Sequence, residues 1–326
     1  MSAVEYVTIE EIRAAARLLP AVVRRTPLWP FACDLSEIGR ERLFLKLENL
    51  QAIGAYKVRA AFTMLSALTG EQRERGIVLT SSGNFAQAFA LAGRHLGVRT
   101  LVVMLASTSP YKIAAARALG AEVDLFDGPA LERQSRVEKL GRKLGMTVID
   151  TWEERFIIAG HGTLGLEMLD DLGAVEQILV QVSSGGLAAG VATAVKQVAP
   201  RVKVIGVQPR GANAAYLSLA AGRPVSIDHW NSIADGLSAR RPGEYPFAHL
   251  QRYLDGIVLV EERDIAAAHV VLRRRAKIIA EPAGTVAAAA YFSGRVERDR
   301  YTIALVSGGN LTDETMHEME RMAEPT

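Results

Sequence analysis

Three short segments of this sequence share one pattern: an apolar run that predicts a strand, a small polar loop rich in glycine or serine, and then a predicted helix. They are IVLT-SSGN-FAQAFALAG at 77–93, ILVQV-SSGG-LAAGVATAV at 178–195 and TIALV-SGGN at 302–310. A strand that enters a helix through such a loop leaves backbone N–H groups unpaired, and the helix N-terminus adds partial positive charge. Ligands of open α/β sheets gather at the carboxyl ends of strands. The three loops together predict one ligand with several anionic or polar groups.

Other phosphate-binding patterns do not fit these loops. The glycine loops lack the lysine of a Walker A motif at its required spacing, and none of them reads GxGxxG. No acidic residue follows a second strand at the distance that a dinucleotide site requires. Taken singly, each loop is also explained as a tight turn between a strand and a helix.

A lysine at position 57 could supply covalent chemistry. It lies in GAYKVR at 54–59, shortly after LKLENLQ at 45–51. A lysine amine that is withdrawn from water can form a Schiff base with an aldehyde. A lone lysine is otherwise a solvated surface charge, and the sequence alone does not separate the two interpretations.

The elements that must position these residues alternate along the chain. Apolar runs at 99–105, 122–126, 147–150, 177–182, 202–207 and 302–306 predict strands, and alanine-rich stretches at 112–119, 187–198 and 264–277 predict helices. This alternation predicts the α/β class with parallel sheets. The strands read as continuous apolar runs, which is typical of strands that are covered on both faces.

Composition excludes several classes of function. The 326 residues are 49% hydrophobic and 23% charged with a net charge of +2, and no basic stripe predicts a nucleic-acid partner. No apolar run approaches the roughly 18 residues of a membrane span, and the N-terminus does not read as a signal peptide. Cys33 is the one cysteine, so neither an internal disulfide nor a CxxC zinc site is expected. These features fit a cytoplasmic protein.

Seven motifs, in order, resemble those of fold-type II pyridoxal-phosphate enzymes, specifically the threonine dehydratase and serine racemase family. They are KLENLQ at 46–51 with GAYKVRAA at 54–61, SSGNFAQ at 81–87, IAGHGTLGLE at 158–167, IADGL at 233–237, EPAG at 281–284 and SGGN at 307–310, preceded by TPL at 26–28. The resemblance implies two three-layer α/β domains of the tryptophan synthase β-like kind. Residues 1–52 with 151–326 would form the large cofactor domain, and 53–150 a small mobile substrate domain. The resemblance also implies that the protein forms a homodimer.

The same resemblance implies roles for individual residues. Lys57 would hold pyridoxal 5'-phosphate covalently and abstract the Cα proton, with Tyr56 against the pyridine ring where the family usually has phenylalanine. Asn84 would bond the cofactor's 3-oxygen, and Ser307 would face the ring nitrogen. Further cofactor contacts are expected from Ser183, Ser184, Gly185, Gly186 and Leu187 at the phosphate, and from Gly236 and Glu281. The substrate would meet Ser81, Ser82, Gly83, Asn84 and Phe85.

The implied reaction is the dehydration and deamination of a β-hydroxy-α-amino acid such as threonine, serine or phenylserine to a 2-keto acid and ammonia. A hydroxyl beside the ring nitrogen, as at Ser307, does not force protonation of the ring. The weaker electron sink then favours prompt loss of a β-leaving group. Three alternatives stay open: an amino acid racemase with Ser82 as second proton donor, a cysteine synthase-like β-replacement enzyme, and a catalytically idle cofactor-binding protein.

The sequence departs from the family pattern at several positions. Phe85 stands where histidine is usual, which predicts either a core contact or a pocket for an apolar β-substituent. Gln208 and Ala214 stand where acidic residues bind a cation in many relatives, so no metal is expected there. His161 replaces a usual glutamine and is interpreted as a structural residue. Ser183 and Ser184 replace two glycines. The backbone N–H groups of the loop can still converge on a phosphate.

Overall fold

The computed structural model describes residues 4–81, 83–129 and 132–324. Strands β1 to β10 are Leu28–Phe31, Leu43–Leu47, Ile77–Thr80, Thr100–Leu105, Glu122–Phe126, Thr147–Val148, Gln177–Gln181, Lys203–Pro209, Gly256–Val260 and Thr302–Val306. Helices α1 to α13 are Ile9–Leu18, Val58–Ser66, Gly70–Arg75, Asn84–Leu96, Pro110–Ala118, Arg133–Leu144, Arg155–Asp171, Gly186–Val198, Ala214–Ala221, Glu244–Tyr253, Glu262–Val271, Pro282–Phe292 and Asp313–Ala323.

The strands form two separate sheets. The larger has the order β1-β2-β10-β7-β8-β9, with β1 antiparallel to β2 and the other neighbours parallel. The smaller has the order β5-β4-β3-β6 and is parallel throughout. The α/β class with parallel sheets is therefore confirmed. All four strands of the smaller sheet lie between residues 53 and 150.

Each sheet is covered on both faces, because side chains alternate along a strand. In β7, Ile178 and Val180 pack with α7 and α8, whereas Leu179 packs with α11 and α12 on the opposite face. In the smaller sheet, Ile77 and Leu79 of β3 face α2 and α4, and Val78 faces α6. Both units therefore have three layers.

Two glycines allow α7 to pack closely against both α2 and α8. A Cβ on Gly160 of α7 would lie 2.6 Å from the Cα of Ala60 in α2. A Cβ on Gly190 of α8 would lie 2.4 Å from the carbonyl oxygen of Ile158 in α7. Larger residues at either position would push the helices apart. The close crossing brings the start of α2, where Lys57 lies, near the start of α8.

Candidate active site

Lys57 lies immediately before α2 and is held by the loop that follows β10. The backbone N–H of Tyr56 donates to the carbonyl oxygen of Ser307 at 3.1 Å, and Ala55 forms a β-bridge with Gly308. The Lys57 side chain is partly buried. Its Nζ donates to Oη of Tyr56 at 2.7 Å and lies 4.2 Å from the centre of the Phe85 ring.

An aromatic wall, made of Tyr56, Phe85 and His161, surrounds this amine. The ring centres of Tyr56 and His161 are 4.8 Å apart, and those of Phe85 and His161 are 6.0 Å apart. His161 is buried, and its desolvation, together with the charges of Lys57 and Arg59, holds its pKa well below 6.5. The imidazole is therefore neutral at pH 7. Its buried Nδ1 has no hydrogen-bond partner among the described residues.

The turn 183–187 forms the start of α8. Gly185 has φ 110°, a left-handed conformation that favours glycine, and α8 begins at Gly186. Within the described residues no side chain caps this helix, so its first N–H groups are open to an anion. The turn is anchored from outside, since Ser183 Oγ accepts from the N–H of Ala239 at 3.3 Å. The carbonyl oxygen of Ser184 accepts from the N–H of Gly243 at 2.9 Å.

Contacts connect this turn to Lys57. A Cβ built on Gly186 would lie 3.9 Å from Cδ2 of His161, whose ring packs on Tyr56. Tyr56 in turn accepts the hydrogen bond from Lys57. The amine and the open helix N-terminus thus belong to one cluster of contacts. Leu187, the next residue of α8, is buried in the core of the larger unit.

Asn84, through Glu281 and Asn310, brings the first and third polar loops together. Asn84 Nδ2 donates to Oε1 of Glu281 at 2.8 Å, and Asn84 Oδ1 accepts from Asn310 Nδ2 at 2.9 Å. Burial, followed by the negative charge of Asp235, raises the pKa of Glu281 to about 7. Gly236, beside Asp235, approaches Ala283 so closely that a Cβ would lie 2.9 Å from that of Ala283.

Ser307 follows β10 and is held by a buried amide. Gln181 Nε2 donates to Ser307 Oγ at 2.9 Å, and also to the carbonyl oxygens of Ala283, Gly284 and Leu305. Because Oγ accepts this bond, the hydroxyl hydrogen of Ser307 can serve another acceptor. Oε1 of Gln181 is buried without a partner among the described residues.

The loop before α4 leaves open space beside a capped helix. Ser81 Oγ accepts from the N–H groups of Gly83 at 3.3 Å and Ala86 at 3.2 Å, so Ser81 supplies the helix cap. A Cβ built on Gly83 would meet nothing within 4 Å. Ser82, predicted as a catalytic and substrate residue, lies outside the described residues. Phe85 packs on Phe89 and borders the amine.

The donor set fits a small planar molecule that carries an aldehyde and a phosphate, as pyridoxal phosphate does. A lysine amine, an open helix N-terminus and a serine residue are joined by the contacts described above. The neutral His161 and the amide oxygen of Gln181 add buried polar atoms that still need partners. Most of the residues predicted for the site therefore lie in loops that contact one another. Their contacts with a ligand stay predictions.

Sequence reasoning missed a buried charge network beneath the site. Arg59, two residues after Lys57, forms ion pairs with Glu48 at 2.8 Å and with Glu167 at 2.7 Å. Lys46 contacts Glu167 at 3.0 Å and Asp171 at 2.8 Å. The side chains of Lys46, Glu48 and Arg59 have no exposed area. The single charged residue inside the apolar run LFLKL, Lys46, was the one indication in the sequence.

The side chain of Gln208, where no cation is expected, forms hydrogen bonds to the backbone. Gln208 Nε2 donates to the carbonyl oxygens of Val182 and Ala212, and its Oε1 accepts from the N–H of Tyr216. In the part of the chain that the structure describes, no group of three or more histidine, cysteine, aspartate or glutamate residues could hold a metal ion. In the same part, no helix is both long enough and apolar enough to span a bilayer.

Comparison with known proteins gives consistent matches. Residues 19–308 match the family described as pyridoxal-phosphate dependent enzyme. The chain is 37% identical over 305 residues to L-threonine ammonia-lyase of Thermotoga maritima, which covers 94% of this chain and 76% of the relative. Among solved structures, the processed form of threonine deaminase isoform 2 from Solanum lycopersicum has a TM-score of 0.90 and 32% identity. That match covers 100% of this chain and 99% of the other. Maize serine racemase has a TM-score of 0.89 and 29% identity, over 97% and 98% of the two chains.

Proposed function

The chain belongs to the pyridoxal-phosphate dependent enzyme family, and from this premise we propose that it eliminates water from a β-hydroxy-α-amino acid. The enamine that results then takes up one water molecule and hydrolyses to a 2-keto acid and ammonia. The likeness to proteins named threonine ammonia-lyase and threonine deaminase supports this reaction. The observation that carries the proposal is the cluster that joins the Lys57 amine, through Tyr56 and His161, to the open N-terminus of α8.

Each part of the site then has a task. The bound cofactor supplies an electron sink that makes the Cα–H bond of an amino acid acidic. Lys57 would hold the cofactor and take that proton at Nζ. The first N–H groups of α8 would hold the phosphate. Asn84 would bond the ring oxygen. Ser81 and Gly83, with neighbouring backbone N–H groups, would hold the substrate carboxylate, which fixes Cα next to Lys57.

Ser307 bears on the type of reaction. A serine hydroxyl donates a hydrogen bond to a ring nitrogen without transferring a proton, so negative charge on the ring is only partly stabilised. Early departure of the β-hydroxyl group relieves that charge. The hydrogen bond from Gln181 fixes the Ser307 oxygen and leaves its hydrogen to donate. This arrangement favours elimination over reactions that need a long-lived carbanion.

The aromatic wall supports a narrower proposal about the substrate. Phe85 and Tyr56 offer apolar faces beside Lys57, and the neutral His161 adds no charge. A substrate held by its carboxylate at 81–84 would turn its β-substituent toward this wall. Burial of a phenyl group gains about 25 cal/mol for each Å² of apolar surface. We therefore expect phenylserine to be a better substrate than threonine or serine.

The unit formed by residues 53–150 is proposed to move as a small substrate domain against residues 1–52 and 151–326. An ion pair between Lys112 of α5 and Asp235, at 2.9 Å, joins the two units near Glu281. Closure would exclude water from the reacting groups. A homodimer, which rests on the family resemblance, and a cytoplasmic location, which rests on the composition of the sequence, belong to the same proposal.

A substrate panel tests the proposed function. The purified protein, loaded with pyridoxal phosphate, is incubated with serine, threonine and phenylserine while keto acid and ammonia are measured. We expect both products in equal amounts, without added thiol. Product only with a thiol acceptor would indicate β-replacement, and inversion of the amino acid without keto acid would indicate a racemase. Absence of all products from a cofactor-loaded protein would refute an enzymatic role.

A further inference from the structure

Among the described residues, the hydrogen-bond partner of the Lys57 amine is the hydroxyl of its sequence neighbour, Tyr56. Nζ lies 2.7 Å from Oη, and the rest of its surroundings includes the faces of the Tyr56 and Phe85 rings, at 4.5 and 4.2 Å. The family resemblance gives phenylalanine at position 56 as the usual residue. The ring therefore has a general packing role, while the hydroxyl is a feature of this chain that needs its own explanation.

The ring and the hydroxyl of Tyr56 make different contacts. The ring packs against His161, with centres 4.8 Å apart, and belongs to the core of the larger unit. A phenylalanine would keep that contact. The hydroxyl contacts the amine. A phenol oxygen both accepts and donates hydrogen bonds, so it can partner the lysine nitrogen as an amine or as an ammonium group.

The number of N–H groups on Lys57 changes when the cofactor passes to a substrate, and this step rests on the proposed function. The substrate nitrogen forms a C=N bond to the cofactor carbon as the bond from that carbon to Lys57 Nζ breaks. Two hydrogens leave the substrate nitrogen and two arrive on Nζ, so the exchange needs neither an oxidant nor a reductant. Released Lys57 therefore has more donors to offer than cofactor-bound Lys57.

We propose that Tyr56 is a catalytic residue whose hydroxyl accepts a hydrogen bond from Lys57 each time the cofactor leaves this lysine. A partner that binds one state of a group better than another shifts the equilibrium toward that state. Tyr56 thus favours the released lysine, and it keeps the amine at a fixed position from which to take the Cα proton. The hydroxyl weakens the hold on the cofactor and speeds its transfer to the substrate.

The variant Tyr56→Phe tests the hydroxyl alone. Cofactor-free wild type and variant are titrated with pyridoxal phosphate, and the visible absorbance of lysine-bound cofactor gives an apparent Kd. Loss of one hydrogen bond from the released state predicts a Kd about three- to tenfold lower in the variant. With saturating cofactor and phenylserine or threonine, the rate constant for loss of the lysine-bound absorbance should fall by a similar factor.

A matched control is Tyr245→Phe, which removes a tyrosine hydroxyl that donates to the carbonyl oxygen of Glu5 at 2.8 Å and not to Lys57. We expect its Kd and transfer rate to match those of the wild type. A Tyr56→Phe protein that folds but binds the cofactor equally well or more weakly than the wild type overturns the role of the hydroxyl. Failure of the wild type to develop the absorbance would refute the proposed function itself. If Tyr56→Phe does not fold, Tyr56→Trp is titrated under the same criterion, because indole also lacks the acceptor oxygen.

Discussion

Replacing Glu48 by glutamine would test whether the buried charge network holds the helix that follows Lys57. The Glu48 carboxylate accepts hydrogen bonds from Nε and Nη2 of Arg59 at 2.8 and 2.9 Å, and from Oγ1 of Thr26 at 2.6 Å. Removing one partner of a buried pair leaves an uncompensated charge and costs about 3–5 kcal/mol. Arg59 would keep Glu167, whose two oxygens lie 2.7 and 2.9 Å away. We therefore expect the lower end, about 3 kcal/mol.

The assay is urea unfolding of the cofactor-free protein, followed by circular dichroism. With a denaturant dependence of about 3 kcal/mol per molar, a loss of about 3 kcal/mol lowers the midpoint by about 1 M. Glu122→Gln is the control, since Glu122 makes the same two-bond contact with Arg99, at 2.7 and 2.9 Å, but about half of each side chain is exposed. An exposed pair contributes less than about 1 kcal/mol. Equal midpoint shifts in the two variants would refute the reasoning from burial.

Three further substitutions test the aromatic wall at Phe85, the buried carboxyl group of Glu281 and the backbone conformation of Lys277. Phe85→His should lower the ratio of kcat/KM for phenylserine to that for threonine about tenfold, because the apolar contact with the β-substituent is worth at least about 1.4 kcal/mol; an unchanged ratio would place the substituent elsewhere. Burial raises the pKa of Glu281 from 4.5 to about 7, so between these pH values the folded protein binds a proton more tightly than the unfolded chain does. The cofactor-free protein should then lose up to about 3 kcal/mol of stability as the pH rises through that window. Glu281→Gln should remove this loss in urea titrations at pH 4.5 and 7.5, and a slope that persists would assign it to other groups. Lys277 has φ 61°, and Lys277→Gly should stabilise the protein by about 0.5–1 kcal/mol, with a higher Tm than Lys277→Ala; the reverse order would contradict strain at this residue.

Continuous apolar runs predicted most of the strands, including the partly exposed edge strand β5, whereas three strands were not predicted. The predicted runs at 122–126 and 302–306 have the bounds of β5 and β10. The run at 147–150 is shorter, ending at Val148, and the helix predicted over 264–277 becomes a π-helical turn at Leu272–Ala276. Strands β1, β2 and β9 were missed. β1 lies at the edge of the sheet and contains Pro30. A proline within an apolar run argues against a central strand, because it has no backbone N–H group to donate.

The missed strand β2 shows why part of the site also escaped prediction. Its lysine, Lys46, breaks the apolar pattern of LFLKL and reads as a surface charge. The partners that make burial possible, Glu167 and Asp171, lie more than 120 residues further along the chain. Local periodicity carries no information about such pairs. The roles of Asn310 and Gln181, which bind side chains of distant loops, escaped for the same reason.

The position of Lys57 depends on contacts from three separate segments. The loop after β10 holds the backbone of residues 55 and 56, α7 packs closely against Ala60 at Gly160, and Glu48 binds Arg59 from beneath. With the backbone fixed on these sides, the amine moves only through rotations of its own side chain. Oη of Tyr56, on the neighbouring residue of this segment, lies 2.7 Å from Nζ. That contact serves the released amine, whereas loosening the whole segment from below, as in Glu48→Gln, also displaces Lys57 and should raise the apparent Kd for the cofactor as well as lower stability.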